Sequence, residues 1–155
     1  MKYYSTNGQS PIADLEKAVV KGLAEDRGLY MPEEIYKLPK AFFDDIQGMK
    51  FQDIAYNVAS NFFGDDVDED ALQDLVYDTL SFDCPVVKVE DNIYALELFH
   101  GPTLAFKDIG ARFMARLLGY FLRQGGSVCC DSVATYNMVN VLVATSGDTG
   151  SAVAN

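Results

Sequence analysis

Apolar residues recur along this chain at two periods, and the period changes near residue 85. Ile12, Leu15, Val19 and Leu23 fall at helical spacing behind Ser10-Pro11, a serine N-cap followed by a proline in the first turn. Gly28 and Pro32 bracket the exit. A second helical face runs through Phe51, Ile54, Ala55, Val58 and Phe62, and Gly64 stops it. The acidic stretch Asp65 to Asp70 leads into a third face at Leu72, Leu75, Val76 and Leu80, where carboxylates suit a helix N-terminus. That stretch lacks the central glycine and terminal glutamate of an EF-hand, so a solvated first turn is the better reading. The pattern then shortens. Val86–Val89 and Ile93–Leu98, joined by Glu90-Asp91-Asn92, read as a β-hairpin. After the Gly101-Pro102 turn, Asp108 to about Arg123 is helical again, with Phe113, Met114, Leu117, Leu118, Phe121 and Leu122 on a broad apolar face. Gln124-Gly125-Gly126 ends it.

Ser127 to Asn140 gives no pattern that can be read. Val141–Ala144 has the form of a short buried strand, and it runs directly into Thr145-Ser146-Gly147-Asp148-Thr149-Gly150 and a helix opening near Thr149. A strand–turn–helix unit needs a second parallel strand after its helix. The expectation is therefore that these residues are the N-terminal portion of a longer polypeptide.

With 155 residues, 49% of them hydrophobic, the chain can build a core, either as one medium domain or as a small domain plus part of another. Its formal charge of -11 argues against nucleic acid and anionic membranes as partners, since both select basic surfaces. Three cysteines, Cys84, Cys129 and Cys130, with His100 as the one histidine, give no zinc-ligand spacing; no metal site is expected, and the cysteines read as reduced thiols. The opening Met1-Lys2-Tyr3-Tyr4 has no apolar signal core, and no run reaches membrane-span length, so a cytoplasmic location is expected.

Chemistry concentrates in two places. Lys107 lies between the Gly101-Pro102 turn and the long helix. A helix N-terminus and the neighbouring Phe106 both disfavour an ammonium, and a partly neutral lysine is the one that condenses with carbonyls. The plain alternative is a surface lysine paired with Asp108. In the second place, Ser146-Gly147-Asp148-Thr149-Gly150, unsatisfied amides at a helix start, two glycines and two hydroxyls form a cradle for a carboxylate or phosphate. Asp148 is its awkward member, and no Gly-Lys-Ser/Thr follows to make a P-loop. The alternative there is an ordinary well-capped turn. His100 is either a polar turn residue or faces the site. Arg112 and Arg116, one helical turn apart, either bind phosphate or face solvent.

The stretches Glu97-Leu-Phe-His-Gly-Pro-Thr-Leu-Ala-Phe-Lys-Asp108 and Ala144-Thr-Ser-Gly-Asp-Thr-Gly-Ser-Ala-Val-Ala154 together resemble threonine synthase, in its bacterial and fungal form. Tyr4-Ser-Thr6, Ala18-Val19, Gly22-Leu-Ala24 and Gly28-Leu29 with Pro32 resemble that family's opening segment. The likeness is thinnest at about 36–80 and 124–138, and Ile109 stands where phenylalanine is often found. The resemblance implies an α/β protein: a mostly helical N-terminal domain with a β-hairpin over 1–95, then at 96–155 the beginning of a fold type II, parallel-sheet domain that uses pyridoxal 5'-phosphate. It implies that Lys107 carries the cofactor covalently, with Phe106 and Asp148 beside it. Ser146, Gly147, Asp148 and Thr149 then receive the substrate α-carboxylate. The implied reaction converts O-phospho-L-homoserine and water to L-threonine and phosphate, in a monomer or a homodimer. Groups for the cofactor phosphate and pyridine nitrogen are expected beyond Asn155. Two other readings stay open: another fold type II lyase of the threonine dehydratase or cysteine synthase kind, or a piece that is not catalytic by itself.

Overall fold

The computed structural model describes residues 1–124 and 140–155. The cysteines at 129 and 130, and nearly all of the stretch 127–140 that resisted reading, lie outside the described residues.

The chain opens with β1 (Tyr3–Ser5), then α1 (Leu15–Lys21) and β2 (Tyr30–Pro32). β1 and β2 pair antiparallel, with Tyr3 opposite Pro32 and Ser5 opposite Tyr30. The sequence reading contains neither strand, because three residues are too few to display alternation. One carboxylate ties the end of β1 to the loops on either side of α1. Asp26 accepts from the Ser5 hydroxyl at 2.6 Å, from the Gln9 amide at 2.9 Å, and from the Ser10 and Gly28 amides at 3.0 Å. It follows that the helix expected from Ser10 does not start there. Ser10 is held by Asp26, Ala13 is bridged to Tyr3, and α1 begins only after Asp14, whose carboxylate caps the Lys17 amide at 2.8 Å. Ile12 and Leu23 are consequently half-exposed or more, while Leu15 is buried and Val19 packs against the core. Gly22 ends α1 at φ 71°, its amide bonded to the Ala18 carbonyl.

α2 (Lys40–Asp45) and a 3-10 turn at Ile46–Gly48 precede α3 (Phe51–Phe63), which Gly64 terminates through a 3.0 Å bond to the Ser60 carbonyl. α4 (Glu69–Thr79) is capped by Asp68, which accepts from the Ala71 amide, and carries Glu69 and Asp70 in its first turn. α3 packs on α4, and both α1 and α4 pack on α5 (Lys107–Arg123). The shared core contains Tyr3, Leu15, Ala59, Val67, Leu72, Leu75, Val76, Leu80, Leu117 and Phe121, with Ile109 and Phe113 against it. Arg112 and Arg116 tie α5 to α4. Arg112 donates to the Asp78 carbonyl at 2.8 Å and the Ser81 hydroxyl at 3.1 Å, and Arg116 pairs with the Asp78 carboxylate.

The expected hairpin is present as β3 (Val86–Glu90) and β4 (Ile93–Leu96), with Val86 opposite Leu96 and Lys88 opposite Tyr94. Asn92 takes the left-handed turn position at φ 65°. The architecture is thus mixed α/β, a helical region with two small antiparallel sheets leading into a long helix. A further element differs from the sequence reading. The residues Val141–Ala144 form no strand, and Leu142 is 96% exposed. A strand of that composition is stable when neighbours pair with it and both faces are covered, and no described strand lies beside it. The helix that follows does form, as α6 (Asp148–Ala154), and it packs on α5.

Candidate functional site

Lys107 is the first residue of α5, at the end of a tight turn through Gly101 to Phe106. Its Nζ lies 4.8 Å from the centroid of the Phe106 ring, a cation–π contact. The side chain is half-buried and does not pair with Asp108. Asp108 points the other way. It is completely buried and receives the Thr103 amide at 2.9 Å on one oxygen and the Thr103 hydroxyl on the other. The plain reading of a lysine–aspartate surface pair is therefore replaced by two separate roles for neighbouring residues.

In the second motif, Gly147 sits at φ 137°, a conformation open to glycine and strained for other residues, and turns the chain into α6. The amides of Gly147 and Gly150 both donate to the Thr145 hydroxyl, at 3.0 and 3.1 Å. The cradle amides thus have an internal acceptor, supplied by a threonine that the sequence reading did not single out.

A cleft of ≈ 1030 Å³ joins the two motifs. Phe106, Lys107 and Thr149 line it together, with Gly110, Ala111, Met114 and Leu118 from α5 forming an apolar wall and Asn140, Val141 and Leu142 along one edge. Ser146, Gly147 and Asp148 are exposed and do not line this cleft. His100 also lies elsewhere: its Nε2 is 2.7 Å from Glu97 Oε2, and its ring stacks on Phe99 with centroids 4.8 Å apart. Arg112 and Arg116 are engaged with α4, so neither of their expected roles describes them. Three further residues matter here: Thr103, Asp108 and Thr145. A threonine directly after Gly101-Pro102, five residues before a carboxylate at a helix start, was the available signal for the first two.

Residues 2–80 match the family model described as threonine synthase N terminus. The chain belongs to the threonine synthase family. It is 36% identical over 155 residues to threonine synthase of Escherichia coli (strain K12), covering 100% of this chain and 33% of that protein. The crystal structure of threonine synthase from Escherichia coli superposes with a TM-score of 0.83 at 36% identity, over 99% of this chain and 33% of that one. A crystal structure of PLP-bound threonine synthase from Brucella melitensis gives a TM-score of 0.76 at 36% identity, over 81% of this chain and 28% of that one. The chain thus spans about a third of the length of the curated relatives it matches. The helical N-terminal region, its small hairpin sheets and the lysine-bearing helix are consistent with the start of a fold type II domain.

Proposed function

We propose that this chain carries the lysine half of a pyridoxal-phosphate site in a threonine synthase, acting on O-phospho-L-homoserine in the cytoplasm. One observation supports it above the others: Phe106, Lys107 and Thr149, from motifs far apart in sequence, line a single cleft. The residues present fit the cofactor. Lys107 and Thr149 line one cleft that has an apolar wall from α5, which suits a flat aldehyde-bearing ring. When bound, that group supplies an electron sink for the carbanion chemistry.

The chain's own residues supply the rest. Lys107 Nζ is the proton carrier, taking the proton from the substrate Cα and returning one later in the sequence. The Phe106 ring restrains the direction of the lysine side chain. Thr149 offers a hydroxyl to the substrate carboxylate. The apolar wall of Ala111, Met114 and Leu118 limits water around the reacting amine. The division of the chain near residue 95 belongs to the same proposal.

The test is titration of the chain with pyridoxal phosphate, followed by borohydride reduction and peptide mass mapping. Modification concentrated on Lys107, absent in Lys107→Ala, supports the reading. Labelling spread over the surface lysines counts against it. Phosphate release from O-phospho-L-homoserine, compared with turnover of serine, threonine and O-acetylserine, separates this activity from the related lyases. A second reading, that the chain alone binds no cofactor, is favoured by the exposure of Val141, Leu142 and Val143, and specific labelling of Lys107 would remove it.

A further inference from the structure

The turn that delivers Lys107 is strained and clamped. Leu104 adopts φ 58°, a left-handed conformation that a bulky side chain rarely takes, and it is 75% exposed, so no burial compensates it. Strain of that kind persists only where the surroundings over-determine the backbone. Here the determinant is Asp108. Its buried carboxyl receives both the amide and the hydroxyl of Thr103, on the opposite side of the turn, and its own amide donates to the Ala105 carbonyl at 3.0 Å. The Leu104 amide closes the same loop on the Gly101 carbonyl at 3.1 Å. Gly101 is packed so tightly against this group that an added Cβ would lie 2.5 Å from Asp108 Oδ2 and 2.9 Å from the Phe82 ring.

Ordinary helix capping does not describe the arrangement. A cap accepts from amides inside its own helix, whereas Asp108 accepts from the turn before it, and Phe106, at the N-cap, makes no side-chain cap bond. The clamp joins turn to helix at the residue next to Lys107. We infer that Asp108 and Thr103 are a positioning pair, which fixes the turn in its left-handed form and so sets the direction from which the Lys107 amine enters the cleft. The functional meaning of that direction rests on the reading of Lys107 above. The geometry itself does not.

The test separates the two. Lysines of the full chain are reductively methylated with labelled formaldehyde, which keeps their charge, and the Lys107 methyl resonance is assigned with Lys107→Arg. Lying over the Phe106 ring, it is shifted upfield from the other lysines. Thr103→Ser retains the hydroxyl and keeps the shift. Thr103→Val loses it, with unchanged far-UV circular dichroism, and where valine disturbs the fold Thr103→Ala takes its place with the same expected loss. An upfield Lys107 signal that survives loss of the hydroxyl overturns the inference. Borohydride trapping of pyridoxal phosphate on separate, unmethylated samples of the same variants reads the functional part: Thr103→Ser labels Lys107 as wild type does, and Thr103→Val loses the preference for it. Wild type that shows the shift but no selective labelling sinks the cofactor reading and leaves the positioning pair standing.

Discussion

At the scale of single residues, Asp26 and Asp108 each accept hydrogen bonds from groups outside their own turn, up to 21 residues away for Asp26. Asp26 gathers the Ser5 hydroxyl and three amides, and those hydrogen bonds, led by Ser5, hold its carboxyl well below the ordinary value of 3.8 despite some opposing desolvation. A depressed folded-state pKa means that the associated stability is fully present above about pH 4 and drains away as pH falls toward the folded value. Asp26→Asn is therefore expected to lower the urea midpoint at pH 7 and to flatten its decline below pH 4; an unchanged acid slope would contradict the assignment. None of this was legible beforehand, because Asp26 binds partners up to 21 residues away and a carboxylate two residues before a glycine looks like any turn residue. Lys107 was legible for the opposite reason. Its neighbours in sequence, Phe106 and the α5 face, are also its neighbours in space.

At the scale of elements, local chemistry decided where it was strong and yielded where a distant group competed. Asp68 precedes α4, bonds the Ala71 amide and stands before two further carboxylates, so the helix start follows directly from the sequence. Asp68→Ala is expected to cost about 1 kcal/mol, read as a lower thermal midpoint with α4 fraying first in hydrogen exchange. Uniform exchange along the chain would place the cap elsewhere. Ser10-Pro11 carried an equally good start signal, yet α1 begins at Leu15, since Asp26 and Tyr3 claim the backbone around Ser10 and Ala13. The β3–β4 hairpin formed as its two apolar runs around Glu90-Asp91-Asn92 suggested, because a two-residue turn with Asn92 at positive φ is a local solution. Val141–Ala144 did not form a strand, because no described strand lies beside it to supply its pairing.

Across the whole molecule, α5 is the organising element. Leu117 and Phe121 lie in the core shared with β1, α1, α3 and α4, while the same helix carries Lys107 at one end and the cleft wall along another face. Leu117→Ala is expected to destabilise the chain by about 2–5 kcal/mol, measured by urea unfolding, and to loosen the cleft along with the core; a loss below that range would mean that α5 is not packed as described. The sequence alone determined the helices α3, α4 and α5, the hairpin, the family likeness and the two chemical motifs, since each rests on spacing or capping within a few residues. Tertiary structure alone decided that β1 and β2 pair, that Asp26 gathers Ser5 and the loop amides, and that Arg112 and Arg116 bind α4. It alone placed Thr149 in the cleft with Lys107 while Ser146 and Asp148 face solvent, and turned Asp108 inward to hold Thr103. The physical reason is common to all of these. A side chain's nearest sequence neighbours fix its backbone conformation, whereas the direction it faces depends on which distant groups can satisfy its hydrogen bonds or cover its apolar surface.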